Sequence, residues 1–303
     1  MKTGHHGILL LGKKPGVTSF GALSAVKKAF ATGKAGHTGT LDKFASGLLL
    51  VLVGRAVKLA PMFTGYNKEY TGTIKFGEET DTLDPEGTVI AQGRIPAREE
   101  VEAVLADFRG NILQTPPAYS AIHIDGQRAH ELARKGKEPV MKKRPVTIHS
   151  LEILSWTAPE AVIHVYCSTG TYIRSLARDI ALAVGSRASL SGLIRTKVGP
   201  FRLEDAVFQE DTAEGENLVK ALRPLDKDLF RYLSIPYFVL DDRAAESFIH
   251  GRALEGLLPQ SFDGEASSLG VFKKTTGGDP DELLGILVRR NGKWCYGHVF
   301  ANN

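Results

Sequence analysis

The segment Gly36–Lys43 constrains this chain more than any other stretch. Glycines recur at every third position from Gly33, and His37, two threonines and a single carboxylate, Asp42, are interleaved with them or follow them. Glycine reaches backbone conformations closed to other residues and lets a ligand come close to the main chain. The pattern therefore predicts a loop that can present one acid to a substrate. Taken alone, a turn or a helix cap is the more ordinary explanation, and a P-loop fits poorly because its Gly-Lys-Ser/Thr ending is missing.

Apolar periodicity on both sides of this loop predicts a mixed α/β domain. An alternating pattern typical of a half-buried strand covers residues 68–77 and puts Tyr70 on its buried face, where packing in the core is the simplest role for an aromatic ring. Other strand-like segments are 7–12, 47–54, 145–157, 161–167 and 190–199. Helical spacing follows Thr18-Ser19 and again Ser168–Thr171, and both groups are typical helix caps.

The segment Thr80–Gly87 carries three acids, Asp81, Asp84 and Glu86, at near-alternate positions. Such spacing suggests metal ligands. A leucine and a proline interrupt the EF-hand pattern, however, and no distal glutamate follows at the required distance. We therefore predict a solvated polar turn.

Arg174 lies in the first turn of the helix predicted after Thr171. A cation is unfavourable near a helix N-terminus, because the helix dipole is positive there. We expect a carboxylate or phosphate partner, although an arginine that simply reaches solvent explains the position equally well.

Two further segments present side chains in ways that suit RNA. Consecutive prolines at 116 and 117 fix an extended chain that delivers Tyr119 to a defined place, for packing or for stacking. The segment Arg128–Arg144 holds seven Lys/Arg against two Asp/Glu and few large apolar residues. Phosphate-contacting arms have this composition, and so do ordinary solvated faces.

Composition bounds the class of protein without identifying it. The chain of 303 residues carries a net charge of +4, and residues 236–303 hold seven Lys/Arg against nine Asp/Glu, so the basic excess lies in residues 1–235. We predict a larger domain over 1–235 and a small β-rich domain over 236–303. The two distant cysteines argue against a zinc site or a disulfide framework. The short apolar runs favour neither a membrane span nor a signal peptide, so we expect a cytoplasmic protein.

Several segments together resemble the tRNA pseudouridine synthase B family. The segment Gly36-His37-Thr38-Gly39-Thr40-Leu41-Asp42, followed by Ala45-x-Gly47-x-Leu49, is similar to the sequence around that family's catalytic aspartate. The other matching segments follow in the family's order over about 200 residues: 13–19, 68–70, 116–121, 167–176 and 190–199. This collinearity is far more specific than any single motif.

The resemblance implies a pseudouridine synthase that isomerises uridine 55 in the tRNA T-loop. It implies an α+β fold around a largely antiparallel sheet, with a C-terminal module similar to the small RNA-binding PUA fold. It also implies catalysis without cofactor or metal. The implied partner is tRNA, with no protein partner evident and a monomer as the default state.

The resemblance also assigns roles to residues. Asp42 resembles the catalytic carboxylate, Tyr70 the aromatic that stacks on the flipped base, and Arg174 the ion-pair partner of the aspartate. His37 resembles the residue inserted where the base has left, and Leu190 the apolar residue beneath the base. Residues 123–144 resemble an RNA-clamping arm. The full set expected to contact RNA is His37, Leu190, Tyr119, Lys14, Lys43, Arg128, Arg134, Lys142, Lys143 and Arg144.

The implied reaction fits these residue types. The C1′–N1 bond breaks, the uracil rotates, a C1′–C5 bond forms and the C5 proton leaves. An ionised carboxylate either attacks C1′ or removes the C2′ proton to give a glycal, and both routes remain open. A guanidinium opposite Asp42 would favour the ionised acid inside a closed pocket.

Two departures from the family pattern stand out. Lys43 replaces the proline that commonly follows the aspartate, and Ser191-Gly192 replaces residues that are often arginines. Two other functions stay open at this point. One is a non-catalytic RNA-binding or RNA-folding protein, and the other is the same chemistry on another RNA, for instance by a guided synthase in a complex.

Overall fold

The computed structural model describes residues 5–124, 126–134, 140–208, 215–254, 257–258, 266–275 and 280–300. Its strands are β1 (Gly7–Lys13), β2 (Ala35–His37), β3 (Ser46–Val53), β4 (Lys68–Phe76), β5 (Glu78–Thr80), β6 (Val89–Gln92), β7 (Gly110–Gln114), β8 (His123–Ile124), β9 (Gln127–Arg128), β10 (Arg144–Thr157), β11 (Glu160–Cys167), β12 (Ala188–Val198), β13 (Phe201–Arg202), β14 (Val207–Phe208), β15 (Arg223–Pro224), β16 (Tyr237–Leu240), β17 (Ser268–Lys273), β18 (Glu282–Arg290) and β19 (Lys293–Val299).

The helices are short. They are α1 (Ser19–Ala29), α2 (Ala60–Thr64), α3 (Arg98–Val104), α4 (Ala129–Arg134), α5 (Ile173–Ala183), α6 (Glu216–Lys220), α7 (Lys227–Tyr232) and α8 (Asp242–Ile249). The longest of these are α1 and α5. Short 3₁₀ turns cover Gly54–Leu59, Leu105–Phe108 and Leu203–Asp205. Within the described ranges, no helix is long and apolar enough to cross a membrane.

One large sheet organises the chain. Its strands run in the order β14-β1-β3-β12-β4-β11-β10-β7, with β2, β13 and β15 paired alongside. The β1–β14 and β3–β12 pairs are parallel and the other pairs are antiparallel. The mixed α/β fold with a largely antiparallel sheet is therefore confirmed.

Strand β3 is covered on both faces, which explains its unbroken apolar sequence. Leu49 and Val51 pack with α1 on one side, whereas Leu48, Leu50 and Leu52 belong to a second cluster on the other. A strand buried on both faces has no solvated side and so does not alternate. The segment Gly36–Lys43 connects β2 to this strand, so its position is fixed by the core.

Strand β4 alternates as predicted, and every second residue from Lys68 to Phe76 is buried. Tyr70, Ile74 and Phe76 pack in one cluster with Leu176 and Ile180 of α5. This packing brings the first turn of α5 to the centre of the sheet. The helix is not capped by Ser168–Thr171 as predicted, since no capping side chain from that group bonds to it.

A glutamine from a distant strand takes the place of that cap. The backbone N–H of Tyr172, the residue before α5, donates to Oε1 of Gln114 at 2.8 Å, and Nε2 of Gln114 donates to the Tyr172 carbonyl at 3.1 Å. A side-chain amide offers both a donor and an acceptor, so it can satisfy both backbone groups at once. The end of β7 therefore fixes where α5 begins.

A second sheet of four strands, β16-β17-β18-β19, forms the C-terminal part of the chain. Strands β16 and β17 pair in parallel and the remaining pairs are antiparallel. The β-rich character predicted for the C-terminal segment is confirmed. Phe272 and Ile286 of this sheet pack in the same apolar cluster as Leu50 and Phe63 of the larger part. The boundary at residues 235 and 236 stays a prediction.

Candidate active site

Arg174 is the hub of the site. Its side chain is 4% exposed, and its guanidinium contacts two carboxylates and two backbone carbonyls. Nη1 donates to the Thr82 carbonyl at 2.6 Å and to Oδ2 of Asp84 at 3.1 Å. Nη2 donates to the Tyr119 carbonyl and to Oδ1 of Asp42, both at 3.0 Å. The expectation of a carboxylate partner is confirmed, and Arg174 does not reach for solvent.

Asp42 faces Arg174 side-on. Its Oδ2 lies 2.9 Å from Nε of Arg174, while Oδ1 accepts from Nη2. One hydrogen bond from Nη2 and a close ion contact with Nε together fix the orientation of the carboxylate as well as its position. The Asp42 side chain keeps 35% of its surface exposed, so the oriented acid remains accessible to a substrate.

Asp84 corrects the prediction of a solvated turn for Thr80–Gly87. Its side chain is only 6% exposed and pairs with Arg174. Oδ1 accepts from the Thr82 hydroxyl at 2.6 Å and from the Glu86 backbone N–H at 3.0 Å. The turn folds inward because a buried guanidinium needs a second anion and these local bonds satisfy the carboxylate that provides it.

Lys13 anchors the loop that carries Asp42 by hydrogen bonds to backbone carbonyls. The sequence showed it only as part of the matching segment 13–19 and gave no sign of this role. Its ammonium group is almost fully buried and donates to the carbonyls of Val17 at 2.6 Å and Ala45 at 2.5 Å. Ser19 adds a reciprocal pair, with its hydroxyl donating to the Leu41 carbonyl at 2.9 Å and accepting from the Leu41 N–H at 2.8 Å. The turn after β1 and the loop before β3 are thus joined on either side of Asp42.

The electrostatics of Asp42 combine opposing effects. Burial raises the pKa of the carboxyl above its ordinary value, and the negative charge of Asp84 raises it further. The positive charges of Arg174 and Lys13 oppose this shift. Arg174 therefore favours the ionised acid, as expected, but burial outweighs it, and the acid gains a proton at a higher pH than an exposed aspartate would.

Tyr70 and Leu190 lie on neighbouring strands beside this pair. Burial raises the pKa of the Tyr70 hydroxyl, and the nearby positive charge of Arg195 opposes the shift. Leu190 is fully buried, and its Cδ1 lies 3.3 Å from a Cβ built on Gly72. Tyr70 is also mostly buried. The roles of both side chains toward a base stay predictions.

His37 ends β2, five residues before Asp42, and is half-buried. Burial and the nearby charge of Arg195 lower the pKa of its imidazole. Its Nδ1 is buried without a hydrogen-bond partner among the described residues. The ring is therefore neutral at pH 7, which suits insertion between bases, and the insertion itself stays a prediction.

Lys43 has a partner that its sequence position did not suggest. Its Nζ lies 2.9 Å from Oε1 of Glu86, and both side chains are substantially exposed. The Lys43 carbonyl also accepts from the Gly16 N–H at 2.8 Å. Lys43 thus ties the loop that carries Asp42 to the turn that carries Asp84.

The other residues expected to contact RNA differ in how exposed they are. Tyr119 is half-buried, and its hydroxyl donates to Oδ2 of Asp81 at 3.4 Å while its carbonyl holds Arg174. Lys14 is half-buried, and its carbonyl accepts from Lys13. The exposed basic residues are Lys142, Lys143 and Arg144. The side chains of Arg128 and Arg134 lie outside the described residues.

The donor set does not resemble a metal centre. Within the described ranges, no group of three or more His, Cys, Asp or Glu side chains is placed to hold a metal ion. The acids nearest the site are instead committed to Arg174. The cysteine in β11, Cys167, is buried, and desolvation raises the pKa of its thiol to about 11, so it is not a ready nucleophile.

Comparison with known proteins identifies the family. The description "TruB family pseudouridylate synthase (N terminal domain)" matches residues 27–173. "tRNA pseudouridine synthase B" of Borreliella burgdorferi (strain ZS7) is 45% identical over 226 residues, which cover 73% of this chain and 80% of that protein. The chain belongs to the TruB family. A second TruB relative, from Aquifex aeolicus (strain VF5), is 40% identical over 86% of this chain and 89% of its own length.

A solved structure supports the fold independently. The structure "Crystal Structure of a Cbf5-Nop10-Gar1 Complex" contains a chain that superposes with a TM-score of 0.66 over 98% of this chain and 84% of its own, at 23% sequence identity. At that identity the likeness establishes the fold alone. As a member of the TruB family, the chain is a pseudouridine synthase.

Proposed function

We propose that this TruB protein converts uridine 55 in the T-loop of tRNA to pseudouridine, with Asp42 as the catalytic carboxylate. The carrying observation is the side-on pairing of Asp42 with a buried Arg174, which leaves the acid partly exposed. An acid that is oriented, ionisable and accessible is what the C1′ chemistry needs. The names of the relatives in Borreliella and Aquifex support tRNA as the substrate.

The proposed reaction uses no group from outside the chain. Asp42 either attacks C1′ or takes the C2′ proton, the C1′–N1 electrons leave with the uracil, and the uracil rotates. C5 then bonds to C1′ as the Asp42–C1′ bond breaks or, on the glycal route, as the proton returns to C2′. Finally C5 loses its proton to solvent and N1 takes one up. Tyr70 stacks on the base and Arg174 keeps Asp42 ionised. Flipping the base out costs a few kcal/mol, and an unpaired loop nucleotide reduces this cost.

The division of labour along the chain is part of the proposal. Residues 1–235 carry the catalytic site, and residues 236–303 serve as a PUA-like RNA-binding module. The basic residues Lys142, Lys143 and Arg144 are exposed and so are available to phosphates. Neutralising phosphates makes binding depend strongly on salt.

A tritium-release assay on tRNA labelled at C5 of uridine tests the proposal. The wild-type protein should release tritium, and Asp42→Asn should release none above background while binding tRNA nearly as well. Asp107→Asn is the matched control, because Asp107 is an exposed aspartate far along the sequence from the site and forms no described ion pair. Near-full activity of Asp42→Asn would overturn the assignment, and a wild-type protein that binds without release would indicate an RNA-binding function instead.

A further inference from the structure

Two buried cations lie behind the site and are not used by the mechanism above. Arg195 of β12 is 1% exposed and Lys68 of β4 is 7% exposed. Charged side chains are almost never buried to this degree unless they are paired. Their position next to Tyr70 and the Asp42 loop calls for an explanation.

Both cations meet beneath the same glycine. A Cβ built on Gly39 would lie 3.5 Å from Nη1 of Arg195 and 3.6 Å from Cε of Lys68. Gly39 has a φ of +138°, a backbone conformation that residues with a side chain rarely adopt. It precedes Asp42 by three residues. The absence of a side chain at this position thus lets two like charges lie directly under the loop that carries the catalytic acid.

The described hydrogen-bond partners of both side chains are neutral oxygens. Arg195 donates through Nε to the Leu48 carbonyl at 2.8 Å and through Nη2 to the Gly39 carbonyl at 3.1 Å. Arg195 is also the cross-strand partner of Tyr70 in the β12–β4 pair. Among the described ion pairs, no carboxylate is joined to Arg195.

Lys68 is held in the same manner. Its ammonium donates to the Tyr66 carbonyl at 2.6 Å and to the Thr169 hydroxyl at 3.4 Å. No carboxylate pairs with it among the described residues either. Desolvation and the charge of Arg195 lower its pKa to about 8, so most of the population is still charged at pH 7.

Two unpaired like charges in a core are costly, and apolar residues of similar volume often stabilise a protein more than buried charges do. The purely structural explanation is that both side chains satisfy carbonyl groups. That role explains the hydrogen bonds but not why two full charges are placed together beside Tyr70, the side chain proposed to stack on the base. A stronger reason is a negative charge that develops there during the reaction.

We propose that Arg195 and Lys68 stabilise the uracil anion that forms when the C1′–N1 bond breaks, with Arg195 acting from its position opposite Tyr70 on the neighbouring strand. This inference rests on the proposed function. In that step the bonding pair leaves with N1, so the free uracil carries one negative charge until C5 bonds to C1′. Positive charge fixed in advance near a developing anion stabilises the transition state without reorganisation. Arg195 and Lys68 therefore act on the uracil anion through their electrostatic field, as positioning residues that do not touch the reacting atoms.

The test compares two leaving groups in single turnovers. One tRNA carries uridine at the target, and the other carries 5-fluorouridine, whose fluorine stabilises the departing anion intrinsically. Loss of the parent nucleoside is measured after nuclease digestion. Lys68→Met should slow uridine cleavage roughly tenfold or more, less than the hundred- to thousandfold loss on removing a direct oxyanion donor, and should slow 5-fluorouridine cleavage clearly less.

Two further variants separate charge from shape. The deciding quantity is the cleavage rate of 5-fluorouridine divided by that of uridine. Arg195→Lys keeps the charge and should keep the wild-type value of this ratio, even if both rates fall. Arg195→Met should raise the ratio, as Lys68→Met does. Lys197→Met is the matched control, since Lys197 lies on the same strand as Arg195 but pairs with Glu69 near the surface. It should leave the ratio and the rate unchanged.

The outcomes distinguish the two levels of inference. If the wild-type protein converts neither tRNA, the proposed function fails. If it converts both, and Lys68→Met, shown to be folded by circular dichroism, slows the two substrates equally or not at all, the field argument is overturned while the proposed function stands. Lys68 keeps the test decisive if Arg195→Met does not fold.

Discussion

Asp84→Asn removes one buried negative charge from beneath Arg174 and preserves the shape of the side chain. The lost interaction is a charge-assisted hydrogen bond from Nη1 of Arg174 at 3.1 Å. Hydrogen bonds to charged groups contribute about 1.5–3 kcal/mol. If that interaction serves to aim the guanidinium at Asp42, the rate of pseudouridine formation should fall by roughly 10- to 150-fold, because about 1.4 kcal/mol corresponds to a factor of ten.

The dependence of the Asp84→Asn rate on pH is a second, independent test of the interaction between Asp84 and the active site. The charge of Asp84 raises the pKa of Asp42 in the folded protein. Its removal lowers that pKa, so Asp42 stays ionised to a lower pH. Because the proposed mechanism needs the ionised acid, the acid limb of the rate profile should move to lower pH even though the maximal rate falls.

The assay is single-turnover tritium release across the acid range, with tRNA binding measured separately by filter retention. Asp81→Asn is the control, since it makes the same change in the same turn at an acid that does not contact Arg174. It should leave the limb in place and change the rate little. An unchanged rate for Asp84→Asn, or an acid limb that moves to higher pH, would refute the reasoning.

Three other substitutions test separate parts of the account. Arg174→Lys keeps the charge but loses the two-point pairing with Asp42, so tritium release should slow more than tenfold with tRNA affinity unchanged, and weakened affinity with an intact rate would contradict this. Tyr70→Phe keeps a stacking surface and loses only the hydroxyl. Its loss should cost no more than one hydrogen bond is worth, ~0.5–1.5 kcal/mol, so single-turnover rates should fall by about tenfold or less; a far larger loss would assign proton transfer to the hydroxyl. Lys43→Met removes an exposed ion pair and should change the unfolding free energy by less than about 1 kcal/mol, while tRNA binding weakens and its salt dependence becomes shallower. Glu86→Gln breaks the same ion pair but keeps Lys43, so it should not weaken tRNA binding. If Lys43→Met and Glu86→Gln weaken tRNA binding equally, the ion pair and not a contact of Lys43 with RNA is responsible.

The sequence was sufficient for the parts of the site that follow local patterns. The spacing of the glycines predicted the loop that carries Asp42, and the alternating pattern of β4 placed Tyr70 on a buried face. The place of Arg174 in the first turn of a helix predicted a carboxylate or phosphate partner, with a solvent-exposed arginine as the open alternative. The family resemblance then linked these distant segments, which no periodicity could do.

The parts that sequence reasoning missed depend on tertiary contacts. Asp84 stands among polar residues in what reads as a solvated turn, and only the folded position of Arg174 makes it a buried acid. Lys13 and Arg195 look like ordinary surface cations in sequence, because burial of a charge is decided by carbonyl groups from distant loops. Glycine at positions 39 and 47 was a weak sequence signal that other groups approach the backbone closely there. In the structure, backbone atoms of Arg195 come within 2.5 Å of a Cβ built on Gly47.

The measurement that tests the central claim most directly is a map of pseudouridine in tRNA from cells that lack this gene, complemented with either the wild-type protein or Asp42→Asn. The account predicts that position 55 of the T-loop is unmodified without the gene, modified again with the wild-type protein, and unmodified with Asp42→Asn present at the same level. Full modification of position 55 by Asp42→Asn, or restored modification only at other positions, would contradict it.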